Sequence, residues 1–99
     1  MTFAQFQTLI EDIYGAKDHA RPVGVNLAWL VEEVGELSRA LRRGDREAMA
    51  EEFADVAAWL TTIATQCGIQ MEDAIQKYAR GCPKCASIPC QCADQSRAC

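Results

Sequence analysis

The chain has 99 residues, with 10 Lys and Arg against 14 Asp and Glu, a formal net charge of −4, and 49% apolar and 24% charged residues. That length suits one domain, the composition is globular and not disordered, and the negative balance argues against binding a nucleic-acid backbone as the main activity. Apolar runs of only a few residues offer no membrane span, and Met1-Thr2-Phe3-Ala4-Gln5 lacks the basic-then-apolar order of a signal peptide, so a cytoplasmic location is expected.

In chain order, Phe3, Phe6, Ile10 and Ile13 recur at steps of three and four with Leu9 beside them. They predict an amphipathic helix over residues 2–14 that opens on a Thr2-x-x-Gln5 capping box and ends at Gly15. Residues 15–23, with Gly15, Pro22 and several charges, read as a connection. A second stripe runs Leu27, Leu30, Val34, Leu37 and Leu41, with Arg42 and Arg43 in its last turn and Gly44 as the stop. Asp45 suits the N-cap of a third helix whose stripe is Met49, Phe53, Val56, Leu60, Ile63 and Cys67. A shorter fourth helix carries Met71, Ile75 and Tyr78 and closes at Gly81. No stretch keeps a period of two. The expected fold is all-α: an antiparallel helical hairpin plus two shorter helices, completing a four-helix-type core by dimerisation, with a monomer as the alternative.

Cysteine usage divides the chain. Of six cysteines, Cys67 stands alone and Cys82, Cys85, Cys90, Cys92 and Cys99 crowd into the end, so residues 1–80 must fold without a covalent staple and 81–99 form a cysteine-rich tail. Cys82-x2-Cys85-x4-Cys90-x-Cys92 has the knuckle spacing, in its first pair, of a structural Zn²⁺ site, with a flexible reduced tail or redox-active thiols as the other readings. Cys67 is expected to be a small core residue, and Cys99 has no assignment.

Acidic residues are the informative feature. Glu32, Glu33 and Glu36 lie on the second helix, Glu52 and Asp55 on the third. Glu33 and Glu36 flank the apolar stripe of their helix, as Glu52 and Asp55 flank theirs, and residues three apart lie about 5–6 Å apart at Cβ. In an antiparallel hairpin centred on Gly44, facing residues have numbers summing to about 88, which sets Glu33 opposite Asp55, Glu36 opposite Glu52, and Trp29 opposite Trp59. Carboxylates gathered beside an apolar seam repel one another, so they take up protons or hold cations. An oxygen-only set prefers Mg²⁺ or Mn²⁺. The sole histidine, His19, falls in the connection, which excludes the Glu-x-x-His pattern of di-iron bundles. Solvated helix faces are the bland reading, but Glu32, Glu33 and Glu36 have no basic residue four positions on.

Glu32-Glu33-x-x-Glu36 followed by Glu52-x-x-Asp55, within Trp29-Leu30-Val31-Glu32-Glu33-Val34-Gly35-Glu36-Leu37 and Ala54-Asp55-Val56 leading to Trp59-Leu60, resembles the MazG-like nucleotide pyrophosphohydrolases over most of residues 2–80. The resemblance implies Mg²⁺-dependent hydrolysis of nucleoside triphosphates to monophosphates and pyrophosphate, in dimers or larger assemblies. It further implies metal held by Glu33, Glu36, Glu52 and Asp55, with Glu32 either orienting water or simply solvated. Lys77 and Arg80 match a basic stretch of that family. They join Lys17 and Arg21 as residues that grip phosphate or are ordinary surface charges. Trp29 either stacks on a base or packs, and Trp59 is expected in the core. The competing function is a non-catalytic helical dimer that docks a protein through a zinc-bound tail. Neither a membrane nor a nucleic acid is an expected partner.

Overall fold

Three long helices carry the body. In the computed structural model, which describes residues 1–93, α1 spans Phe3–His19, α2 Val23–Arg43, α3 Arg46–Gln66 and α4 Met71–Ala74, the last continuing as a 3-10 turn over Ile75–Tyr78. No strand forms among the described residues. The all-α expectation therefore stands. Cys99 lies outside the described residues.

Local chemistry sets the helix ends. Thr2 accepts from the Gln5 amide and Gln5 Oε1 from the Thr2 amide, a complete capping box. Gly44 terminates α2 at φ 68°, a left-handed conformation that a side chain would strain. Asp45 then caps α3 by accepting from the Ala48 amide. The two long helices consequently reverse over two residues and pack side by side as the hairpin.

Three expectations need correction. The first helix does not end at Gly15 but runs on to His19, so residues 15–19 are helix and not connection. One glycine costs a helix only about 1 kcal/mol, and the added turn brings Asp18 into bonds with Thr62 and Arg21 that outweigh it. The true break is Pro22, the N-cap of α2. Cys67, expected in the core, is exposed, because it is the C-cap of α3 and lies beyond the packed part of that helix. The fourth helix is also a single α turn with a 3-10 continuation.

The seam between α1 and α3 is held by polar side chains. Gln7 is buried, donates to Thr65 Oγ1 and the Ile69 carbonyl at 2.9 Å each, and accepts from the Met71 amide at 2.8 Å. Eleven residues on, Asp18 accepts from Thr62 Oγ1 at 3.0 Å and pairs with the Arg21 guanidinium. Asn26, fully buried, accepts from Arg21 Nε at 2.8 Å and donates to Gln66 Oε1 at 2.7 Å and the Asp18 carbonyl at 3.1 Å. Gln66 closes the network by donating to the Asp18 and Arg21 carbonyls. By contrast, Ile10 and Ala40 are the only apolar residues buried among those described.

Candidate active site

The hairpin reversal at Gly44 determines which side chains meet. Trp29 of α2 and Trp59 of α3 stack with ring centroids 6.1 Å apart and planes 13° from parallel, as the register around Gly44 predicts. One turn further along α2, in the direction of Gly44, Glu33 meets Glu52 and Asp55 of α3. A carboxylate oxygen from each of the three lies within 4.8 Å of the others. Glu33 and Glu52 are half-buried, and Asp55 is exposed. Glu36 stands outside that group of three, with Oε2 3.9 Å from Arg39 Nη1. Glu32 is exposed.

Burial, reinforced by hydrogen bonding to Glu52 and by the charges of Asp55, Glu52 and Glu36, raises the Glu33 carboxyl from 4.5 to about 7. Glu52 Oε2 is buried and finds no hydrogen-bond partner among the described residues. A buried oxygen without a partner beside converging carboxylates is a position that a cation satisfies. The donors are all hard oxygens, with neither imidazole nor thiol in the group. The set therefore fits Mg²⁺ or Mn²⁺.

This electrostatic arrangement has a consequence for stability. Between about pH 4.5 and pH 7 the folded, metal-free protein keeps a proton on Glu33 that the unfolded chain has lost, so stability falls as pH rises through that window. The melting temperature of the metal-free protein, measured against Glu33→Gln, is expected to drop across the window and to stop dropping when Mg²⁺ is added. Parallel pH profiles for the two proteins would refute the assignment.

Beside the carboxylates, a cleft of about 320 Å³ opens between α1 and α3. Asp55 and Trp59 line one wall, Tyr14, Lys17 and Arg21 the other, with Asp18 and Thr62 deeper. Arg21 is engaged three times, by Asp18, by Asn26 and by the Trp59 ring, whose centroid lies 5.5 Å from the guanidinium carbon. Lys17 is exposed in the last turn of α1. Lys77 and Arg80 are outside the cleft lining: Lys77 Nζ sits 5.0 Å from the Tyr78 ring, and Arg80 is exposed. Trp29 is 44% exposed, and Trp59 is half-buried. Sequence reasoning missed Asp18, Tyr14 and Thr62. The available signal was the spacing of Asp18 and Arg21, three apart just before Pro22.

The remaining cluster lies in the tail, where Sγ atoms of Cys82, Cys85, Cys90 and Cys92 all lie within 4.8 Å of one another.

A comparison with curated protein sequences finds no match. The family model of the MazG nucleotide pyrophosphohydrolase domain matches residues 23–86, which takes in α2, α3, both tryptophans and all five of the acidic residues singled out above. Since that match covers well over half of the 99 residues, the chain belongs to the MazG nucleotide pyrophosphohydrolase family.

Proposed function

We propose that the chain hydrolyses nucleoside triphosphates, NTP or dNTP, to monophosphate and pyrophosphate with Mg²⁺ as the cation and Mn²⁺ as a substitute. The observation that carries this reading is the convergence of Glu33, Glu52 and Asp55 on an unpartnered Glu52 oxygen, inside the segment that matches a pyrophosphohydrolase family. Mg²⁺ would supply positive charge against the polyphosphate and acidify an attacking water.

The protein's own groups do the rest. Glu33, Glu52 and Asp55 hold the cation, and Glu36, one turn from Glu33, adds negative charge at its edge. Glu32 orients water at the rim. Lys17 at the cleft mouth contacts phosphate oxygens as a mobile point charge. Arg21, already committed to Asp18 and Asn26, shapes the wall of the cleft and grips no phosphate. Trp59 has Arg21 over its ring and Trp29 stacked against it, so the open surface of Trp29 is where a base stacks. Lys77 and Arg80 have no part in this reading. A cytoplasmic location is part of this proposal; no helix among the described residues is long and apolar enough to cross a membrane.

The active form proposed is a homodimer or larger homo-oligomer. Leu27, Val34, Leu41, Phe53 and Leu60, all from the hairpin stripes, remain 43–56% exposed in the single chain. The accessible surface is 7232 Å², whereas a compact monomer of this mass exposes about 5,600 Å². The excess, about 1,600 Å², falls within what one partner buries in an obligate homodimer, about 1,000–2,500 Å². The alternative of a non-catalytic docking module is not favoured, since it leaves the carboxylate group unexplained.

The test incubates the full chain with each common NTP and dNTP and measures pyrophosphate release, with light scattering on the same sample. Expected are a dimer or larger species and release that requires Mg²⁺ or Mn²⁺. Orthophosphate as the product, or no turnover of any nucleotide with either cation, would overturn the reading.

A further inference from the structure

The last described segment, 82–92, is folded without a core. Ile88 is 82% exposed, and Pro83, Lys84, Pro89 and Gln91 are exposed as well. The backbone nevertheless closes on itself. The Cys82 carbonyl accepts from the Ala86 amide at 2.7 Å, and the Ser87 carbonyl from the Cys82 amide at 3.0 Å. The fold-back depends on Gly81 at φ 108°, where a Cβ would sit 2.7 Å from the Ser87 carbonyl oxygen. Apolar burial cannot stabilise so small a loop, and something else must hold it.

What the closed loop gathers is sulfur. Sγ of Cys82 and Sγ of Cys92 are 3.8 Å apart, and all four sulfurs are mutually within 4.8 Å. A disulfide requires about 2.05 Å. A tetrahedral cation with zinc–sulfur bonds of about 2.3 Å sets its sulfurs about 3.8 Å from one another. Amide hydrogens point at the sulfurs: the Gln91 amide lies 3.3 Å from Cys85 Sγ and the Cys92 amide 3.4 Å from Cys90 Sγ. Such donors favour thiolate over thiol and are the outer support that a metal-bound sulfur uses. Amides of Cys85 and Lys84 bond to the Cys82 sulfur in the same sense.

We infer that Cys82, Cys85, Cys90 and Cys92 form a closed structural Zn²⁺ site that folds the tail. Each zinc–sulfur bond forms as its thiol proton leaves to water, with no change in oxidation state. Four protein sulfurs complete the tetrahedron, so no position remains for water or substrate and the site is structural, not catalytic. It is independent of the proposed hydrolysis: Cys90 and Cys92 lie beyond the matched residues 23–86, and none of the four sulfurs lines the cleft.

The test is elemental analysis of the full chain purified without chelator, alongside Cys67→Ser, Glu52→Gln and a Cys85→Ser/Cys90→Ser double variant. About one zinc per chain is expected in the unaltered protein and in the first two variants, which removes Cys67 and the carboxylates as its source. Zinc should fall to background in the double variant, while helical circular dichroism is retained. Replacing zinc by Co²⁺ in the unaltered protein should give the intense visible bands of tetrahedral thiolate coordination, a readout that no variant's folding affects. Iron in place of zinc, zinc lost with Glu52→Gln but kept in the double variant, or absence of metal with every tail thiol reacting with a thiol reagent would each overturn the inference. Absence of pyrophosphate release in the unaltered protein with its zinc present would count against the proposed function alone.

Discussion

Asp55→Asn and Glu52→Gln, made separately, are each expected to lower kcat/KM for nucleotide hydrolysis by about a thousandfold, the loss of several kcal/mol of charge stabilisation in the transition state. The same substitutions should leave the helices intact, and the metal-free melting temperature should hold or rise. In the absence of cation, three carboxylates within 4.8 Å repel one another, and removing one charge relieves that repulsion. Activity and stability should therefore move in opposite directions, which an ordinary packing role could not produce. Glu36→Gln, outside the group of three, is expected to cost less than either. Near-normal turnover in Asp55→Asn and Glu52→Gln would remove these residues from the active site.

Asn26→Ala is expected to carry a large stability loss. Asn26 is 0% exposed and makes three side-chain hydrogen bonds, to Arg21, Asp18 and Gln66. Truncation leaves buried partners unsatisfied, and the loss should be about 3 kcal/mol, or about 12–24 °C in melting temperature for a domain of this size. Ser38→Ala, which removes only an exposed hydrogen bond from Arg42, is the matched control and should shift stability by about 0.5 kcal/mol or less. A melting temperature for Asn26→Ala within a few degrees of the unaltered protein would mean that the network contributes little.

Much of the hairpin was legible from spacing. Gly44 and Asp45 are strong local signals, and together they fix the reversal that brings Trp29 to Trp59 and Glu33 to Asp55. Glu36 was expected opposite Glu52; Glu52 also joins Glu33, because facing helices set each side chain between two partners and not against one. Local signals failed at Gly15, where the helix continues because Asp18 has partners 44 residues away that no local pattern encodes. The same limit hid the cleft. Its polar wall comes from α1, and periodicity of apolar residues says nothing about where a buried Asp or Asn will find hydrogen bonds.

The polar seam has a consequence for how α1 presents the cleft. An apolar contact between helices tolerates small slides and rotations at little cost, because dispersion is non-directional. Hydrogen bonds are not so forgiving, and α1 is pinned by them at Gln7 and at Asp18, points about 16 Å apart along its axis. A rod fixed at two such points has neither axial play nor freedom to turn, so the azimuth of every residue between and beside them is set. Lys17 is the immediate neighbour of Asp18, about 100° around the helix. The point at which its flexible stem leaves the helix, beside the cleft, is thus set in folding, before any ligand arrives.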